Sequence, residues 1–145
     1  MAFSEQLVCV SRISNTTLTT ADRYKVAFLT TGGYVTVGDP ATTGGNRPFG
    51  VYQGGGGRST TTKVEAVTIG ISGLSKIRMM ESSTCNPPEF IVASSNGVGG
   101  ASPTTNHFCV GQLVSFSTGT GTARMGVVKL FPVPIKWQAQ YGTAT

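Results

Sequence analysis

The sequence predicts an all-β protein: one compact domain built as a β-sandwich or β-barrel of about seven to nine short strands, with extended N- and C-terminal arms. Three observations lead to this prediction. Apolar and polar residues alternate with period two in many segments. Turn-forming residues recur at intervals of roughly 8–12 residues, the spacing expected of a sandwich or barrel. The chain of 145 residues contains 20 glycines and many threonines, whereas the strong helix formers leucine and glutamate are scarce.

The chain divides into three zones: an N-terminal arm or edge strand (1–22), a β domain (23–131) and an extended C-terminal tail (132–145). The first zone carries a short apolar series, and the arm and the edge strand both remain open as interpretations. The last zone begins within a Phe-Pro-Val-Pro sequence that starts at Phe131. Because proline has no backbone N–H, we expect this segment to run extended over a surface and not to form a central strand.

The first elements of the β domain form a hairpin. Tyr24, Val26 and Phe28 alternate with more polar or smaller residues, which is typical of a half-buried strand. A turn at 30–33 follows, and its two glycines tolerate positive φ. The segment 34–37 is then the returning strand.

The middle of the domain contains three further predicted strands. Phe49–Gln53 is short and is followed by a run of four glycines, Gly54–Gly57. Two β-branched or apolar stretches follow, Lys63–Ile69 and Leu74–Met80. We expect the Gly-Ile-Ser-Gly sequence at 70–73 to break the strand between them.

The last part of the domain predicts a strand at Phe90–Ala93 and a final pair of strands. Phe108–Phe116 and Arg124–Phe131 are apolar, and the turn-rich segment 117–122 separates them. We expect these two strands to pair. The segment 94–106 is predicted to be a loose connection.

Composition disfavours an enzyme, and we predict no catalytic residues, no metal site and no cofactor. Charged residues are 12 % of the chain and there is one histidine, which leaves few groups for acid–base chemistry. His107 and Cys109 share one side of a predicted strand, but a structural zinc needs four ligands, and Cys9 and Cys85 are remote in sequence. The glycine run lacks the Gly-Lys-Ser/Thr ending of a phosphate-binding loop, because Lys63 lies six residues beyond it.

The net charge of +5 permits a polyanionic partner, but the basic residues are scattered singly. Base stacking needs exposed aromatic residues beside cations, and the best candidates are Tyr24 and Tyr52, with Arg58 and Lys63 nearby. Core packing accounts for most aromatic positions, so we do not expect nucleic acid as the partner. A β-barrel that binds single-stranded nucleic acid is kept as an alternative.

No stretch approaches the ~18 consecutive apolar residues of a membrane-spanning helix, and we expect no membrane association. The N-terminus lacks the basic and apolar regions of a secretory signal, and three cysteines without short spacing support no disulfide framework. We therefore expect a soluble protein made in a reducing compartment. Aromatic residues outside the core are common interface anchors, and Trp137 and Tyr141 lie beyond the last strand.

The order of motifs from Arg23 to Leu130 resembles the small capsid decoration (cement) proteins of tailed bacteriophages. The resemblance depends on the order and spacing of short, glycine-weighted motifs. They are Arg23–Val26, Thr31–Val35, Pro48–Gln53, Val67–Lys76, Val110–Val114 and Met125–Leu130. This chain differs from many of those proteins in its basic charge, its longer connection over 85–106 and its added segment 131–145.

The resemblance implies a virion protein, made in the host cytoplasm, that assembles on the capsid exterior, commonly as a homotrimer. Its role would be to stabilise the shell by bridging subunits of the major capsid protein. For this role we predict apolar contacts on the two arms, at Phe3, Leu7, Val8, Phe131, Ile135 and Trp137. The alternatives are another small virion β-protein (a coat, tail or head-fibre subunit) and the nucleic-acid-binding barrel described above.

Overall fold

The computed structural model describes residues 6–14, 17–30, 32–37, 47–55, 66–79, 86–93, 97–100, 108–118 and 124–136, with no side-chain description for 116–118, 135 and 136. Nine strands form within these ranges, which confirms the all-β prediction. They are β1 (Val8–Ile13), β2 (Val26–Leu29), β3 (Val35–Val37), β4 (Pro48–Gly55), β5 (Ala66–Arg78), β6 (Phe90–Ala93), β7 (Gly99–Gly100), β8 (Phe108–Thr118) and β9 (Met125–Lys136).

The strands form one curled sheet, a half-barrel, in the order β3-β2-β4-β5-β9-β8-β6-β7, with β1 also paired to β5. All pairs between named strands are antiparallel. Single parallel bridges join Ser14 to Val35 and Met79 to Gly99. Because these bridges connect β1 to β3 and the end of β5 to β7, each half of the sheet curls until its outer strands meet.

The strand β5 is common to both halves of the sheet. Its residues 66–72 pair with β1, and its residues 73–78 pair with β9 along the same edge. The expected break at 70–73 is therefore wrong: β5 is continuous, although Gly73 has a φ of 88°. A side chain at Gly73 would collide with the backbone carbonyl of Gln6, so glycine lets the N-terminal segment cross close to the strand.

Two apolar clusters lie on opposite faces of the first half of the sheet. In β2, Val26 and Phe28 belong to one cluster and Ala27 to the other, so this strand is buried on both faces. The larger cluster includes Ile77 and other residues from the second half of the sheet. The strands β2 and β4 lie between the two clusters, and β5 contributes residues to both.

Two predicted pairings are confirmed. The strands β2 and β3 form the expected hairpin, and Gly33 in its turn has a φ of 81°. The strands β8 and β9 pair from Phe108 opposite Lys136 to Thr118 opposite Met125. The strand predicted at Phe90–Ala93 has those bounds in the structure.

The strand β9 continues past Phe131 to Lys136, but its second half differs from its first. It pairs with β5 only as far as Leu130, and beyond that point it pairs with β8 alone, through Ile135 and Lys136. The strand β1 begins opposite Ser72, where β9 leaves β5. Before Gly73, β1 and not β9 is paired to β5, so the segment with Pro132 and Pro134 has no hydrogen-bonding partner on its β5 side. The two prolines, which have no backbone N–H, therefore cost no ladder hydrogen bond on that side.

A short 3-10 helix, Thr20–Asp22, leads into β2 and is closed by a capping box. The backbone N–H of Thr19 donates to Asp22 Oδ2 at 2.9 Å, and Lys25 Nζ lies 3.3 Å from Oδ1. Burial alone would raise the pKa of Asp22, but these hydrogen bonds and the lysine charge outweigh it and hold the pKa below its ordinary value of 3.8.

Candidate interaction surface

The N-terminal segment and the last strand, β9, border one groove on the surface, beside the glycine bend of β5. We name this place the terminal junction and define it by Leu7, Val8 and the segment 131–133. Gln6 and Pro132 line a shallow groove of about 360 Å³ there, together with residues of β5 and β9. Gln6 and Pro132, which are 126 residues apart in the sequence, therefore contribute to one surface.

Leu7 packs inward at the terminal junction. Its side chain is half-buried and lies against the larger apolar cluster. An added Cβ at Gly70 would be only 2.8 Å from Leu7 Cδ1, so the glycine leaves the space that the leucine fills. Leu7 thus contributes to the packing of its own chain.

Val8 and Val133 are exposed, and each is close in sequence to a residue that lines the groove, Gln6 or Pro132. Val8 is 50 % exposed and Val133 is 68 % exposed, the largest value among the large apolar side chains that the structure describes. The sequence analysis named Val8 but missed Val133. The sequence feature that could have indicated Val133 is its position between Pro132 and Pro134, since prolines on both sides restrict the backbone of an extended segment.

Phe131 lies between the junction and the rest of the sheet. Its ring meets that of Phe90 edge-on, with centroids 5.7 Å apart and planes at 88°. It also lines a narrow apolar seam with Phe49, Ile71 and Pro134, where β4 faces the end of β9. Phe131 is therefore half-buried and joins the two halves of the sheet.

The other three predicted contacts are Phe3, Ile135 and Trp137. Phe3 and Trp137 lie outside the described residues. The backbone of Ile135 is opposite Cys109 in the β8–β9 ladder, and its side chain is among those not described.

Two arginines make cation–π contacts with phenylalanines. The guanidinium carbon of Arg12 is 5.3 Å from the ring centroid of Phe49, and that of Arg47 is 5.4 Å from the ring centroid of Phe108. Both arginines are exposed and both rings are half-buried. The sequence analysis did not find these pairs, because in each pair the arginine and the phenylalanine are far apart along the chain.

Of the residues considered for base stacking, Tyr52 has no open ring face. Tyr52 is 2 % exposed, and its hydroxyl donates to the carbonyl of Gly55. Burial, with a smaller effect from Asp22, raises the pKa of Tyr52. Tyr24 is half-buried with the Arg23 guanidinium 5.0 Å from its ring centroid. Arg58 and Lys63 lie outside the described residues.

The two described thiols have different environments. Cys109 is fully buried, and burial raises its pKa to about 11, so it is neutral at physiological pH and a poor nucleophile. Cys9 is exposed on β1. Cys85 and His107 lie outside the described residues, and within the described ranges no three metal-ligating side chains cluster together. Nor does any helix in those ranges have the length and apolar character needed to cross a membrane.

Comparison with protein-family models, with characterised proteins and with solved structures found no match to this chain.

Proposed function

We propose that this chain is a structural virion protein that decorates the outside of a phage capsid and stabilises the shell by bridging major capsid subunits. The motif resemblance names this function, and the terminal junction is the observation that supports it. The N-terminal segment and the last strand belong to the two zones expected to make contacts, and they border one groove there. Val8 and Val133, which are close in sequence to the groove-lining Gln6 and Pro132, are exposed. A homotrimer, which the resemblance also implies, is part of the proposal.

The junction has the physical properties of a docking surface. Val8 is paired to Ser72 of β5, and Val133 is held between two prolines in a segment whose ends are paired at Leu130 and Ile135, so little conformational entropy is lost when a partner covers them. Covering such a half-exposed valine contributes about 1 kcal/mol at roughly 25 cal/mol per Å². In a trimer the same contact is made three times, and linked contacts increase the total affinity far beyond that of one.

The experiment is co-sedimentation of the purified protein with expanded, genome-free heads from the virus of origin. We compare the wild type with the variants Val8→Asp and Val133→Asp. The matched control is Val114→Asp, because Val114 is 47 % exposed on β8, away from the junction residues. We expect each junction variant to bind at least about tenfold more weakly, since a carboxylate must then be desolvated in the interface, and the control to bind like the wild type.

Deletion of residues 1–14 is not a clean test, because it would remove β1 and uncover an edge of β5. Deletions of 1–5 and of 137–145 leave every described strand intact and test the terminal segments themselves.

Wild-type protein that does not sediment with heads at any protein concentration would refute the proposal, as would a genome of origin without a major capsid gene. Closed shells or tubes formed by the purified chain alone would instead indicate a coat or tail subunit.

A further inference from the structure

We propose that the protein holds an acidic, extended segment of its partner through a second surface, formed by the two arginine–phenylalanine stacks. We name it the Arg–Phe surface and define it by Arg12, Arg47, Phe49 and Phe108. The inference rests on the proposed function, because it specifies the chemistry of the docking partner. It does not depend on the terminal junction being the main contact.

The two stacks belong to one continuous stretch of surface. Arg47 and Phe49 are separated by Pro48 alone, and each belongs to a different stack. Arg12 reaches Phe49 from β1, and Arg47 reaches Phe108 at the start of β8. Each guanidinium group therefore contacts a ring from a distant part of the sequence, and Arg47 and Phe49, one residue from each pair, flank Pro48.

The arginines have no carboxylate partner within the part of the chain that the structure describes. Of the two carboxylates there, Asp22 pairs with Lys25, and Glu89 accepts from the backbone N–H of Asn86. Arg12 Nη1 donates a hydrogen bond to the neighbouring carbonyl of Ser11 at 2.9 Å. The chain carries a net charge of +5, so an anionic partner complements both the local and the total charge.

The arginine–phenylalanine contacts favour carboxylates over nucleic-acid bases. A guanidinium is planar and can donate two parallel hydrogen bonds to one carboxylate. A base needs an open ring face for stacking. Each of these rings is half-buried and has a guanidinium over one face.

The surroundings of the stacks add an apolar requirement. The seam beside Phe49 is lined by Pro48, Phe131 and Pro134, with almost no internal space. A partner strand that alternates acidic and aliphatic residues places its acidic side chains toward the arginines and its aliphatic ones toward this seam, because side chains alternate along a strand. The partner we infer is therefore an extended segment of alternating Glu or Asp and Val, Ile or Leu residues.

The test is an NMR titration of the ¹⁵N-labelled full chain that follows the Nε–Hε signals of Arg12 and Arg47. The probe is the capped peptide Glu-Val-Glu-Val-Glu, and its neutral control is Gln-Val-Gln-Val-Gln. We expect the glutamate peptide to shift both arginine signals, and the shifts to weaken in 0.5 M NaCl because salt screens exposed charges. We expect binding to fall about tenfold in the double variant R12Q/R47Q, since two charge-assisted contacts are lost, and to persist in Lys76→Gln, which removes an exposed charge elsewhere.

Equal shifts with the glutamine peptide, or no shift at either arginine, would overturn the inference. Tighter binding of a 20-residue oligothymidine than of the glutamate peptide would also overturn it and would indicate a nucleic-acid surface. Sedimentation with heads separates this inference from the proposed function. Heads that bind R12Q/R47Q as well as the wild type contradict the Arg–Phe surface alone, whereas peptide binding without head binding contradicts the decoration role alone.

Discussion

Gly73 offers a direct test of how the N-terminal segment is held against β5. At this position alanine has two separate costs. The φ of 88° is left-handed, and a non-glycine residue there costs about 1–2 kcal/mol. The new Cβ would also lie 2.8 Å from the Gln6 carbonyl carbon and 3.0 Å from Leu7 Cα, with the Gln6 oxygen closer still.

The collision is with backbone, so the segment 6–8 must move. That movement weakens the packing of Leu7 and the pairing of Val8 with Ser72, a loss of about 1–2 kcal/mol. We therefore expect Gly73→Ala to lower the free energy of unfolding by about 2–4 kcal/mol. For a chain of this length that corresponds to a fall in Tm of roughly 6–12 °C.

Gly33 provides the matched control for Gly73. Its φ is 81°, but an added Cβ meets no described atom within 4 Å, so Gly33→Ala carries the backbone strain without the collision. We expect Gly33→Ala to cost about 1–2 kcal/mol. Urea unfolding followed by circular dichroism measures both variants. If Gly73→Ala costs no more than Gly33→Ala, the close approach of Gln6 is not what requires glycine.

A second comparison isolates the collision itself. Deletion of residues 1–7 removes the atoms that the Cβ at Gly73 would meet. In that background the cost of Gly73→Ala should fall to the strain alone, about 1–2 kcal/mol. An unchanged cost in the shortened chain would refute the reasoning.

Three further predictions follow from burial and from the shifted pKa values. Asp22→Asn should cost about 1 kcal/mol at pH 7, because it removes the carboxylate charge that accepts from Thr19 in the capping box and pairs with Lys25. Because the folded-state pKa of Asp22 is lowered, its contribution is present above pH 3.8 and is lost as the pH falls through the folded pKa, so urea unfolding should show the two proteins converging in acid. Iodoacetamide at pH 8 should label Cys9 in the native protein and Cys109 only after unfolding, as peptide mass spectrometry would show; equal labelling rates would contradict the burial of Cys109. Ile77→Ala should lower the free energy of unfolding by about 2–5 kcal/mol, because Ile77 is fully buried in the larger cluster; a loss below 1 kcal/mol would mean that the site is loosely packed.

Local patterns were sufficient to predict most strands. The hairpin β2–β3, the strand β6 and the pairing of β8 with β9 depend on alternation, on turn residues and on short separations along the chain. The strand β5 was predicted as two pieces, since a glycine inside a strand weakens it in isolation. In the folded chain Gly73 sits where the N-terminal segment crosses the strand, and this contact is not visible in a local pattern.

The candidate surfaces were predictable only in part. Both Val8 and Leu7 were predicted as apolar contacts to a partner. Val8 is exposed, whereas Leu7 packs against the larger apolar cluster of its own chain. Alternation along a strand tells which residues share a face, but it does not tell which face another element covers. The stacks of Arg12 on Phe49 and of Arg47 on Phe108 join strands through long-range contacts, and no spacing in the sequence indicates them.

The sequence by itself determined the fold class, the approximate number of strands and the special character of the proline-containing segment, because composition, period-two alternation and missing N–H groups are local properties. Only the tertiary structure decided that β1 begins on β5 where β9 leaves it, so that both terminal zones meet at one surface. That placement depends on the curl of the whole sheet and on which strand competes for each edge. Both are set by contacts between residues that are distant in the chain.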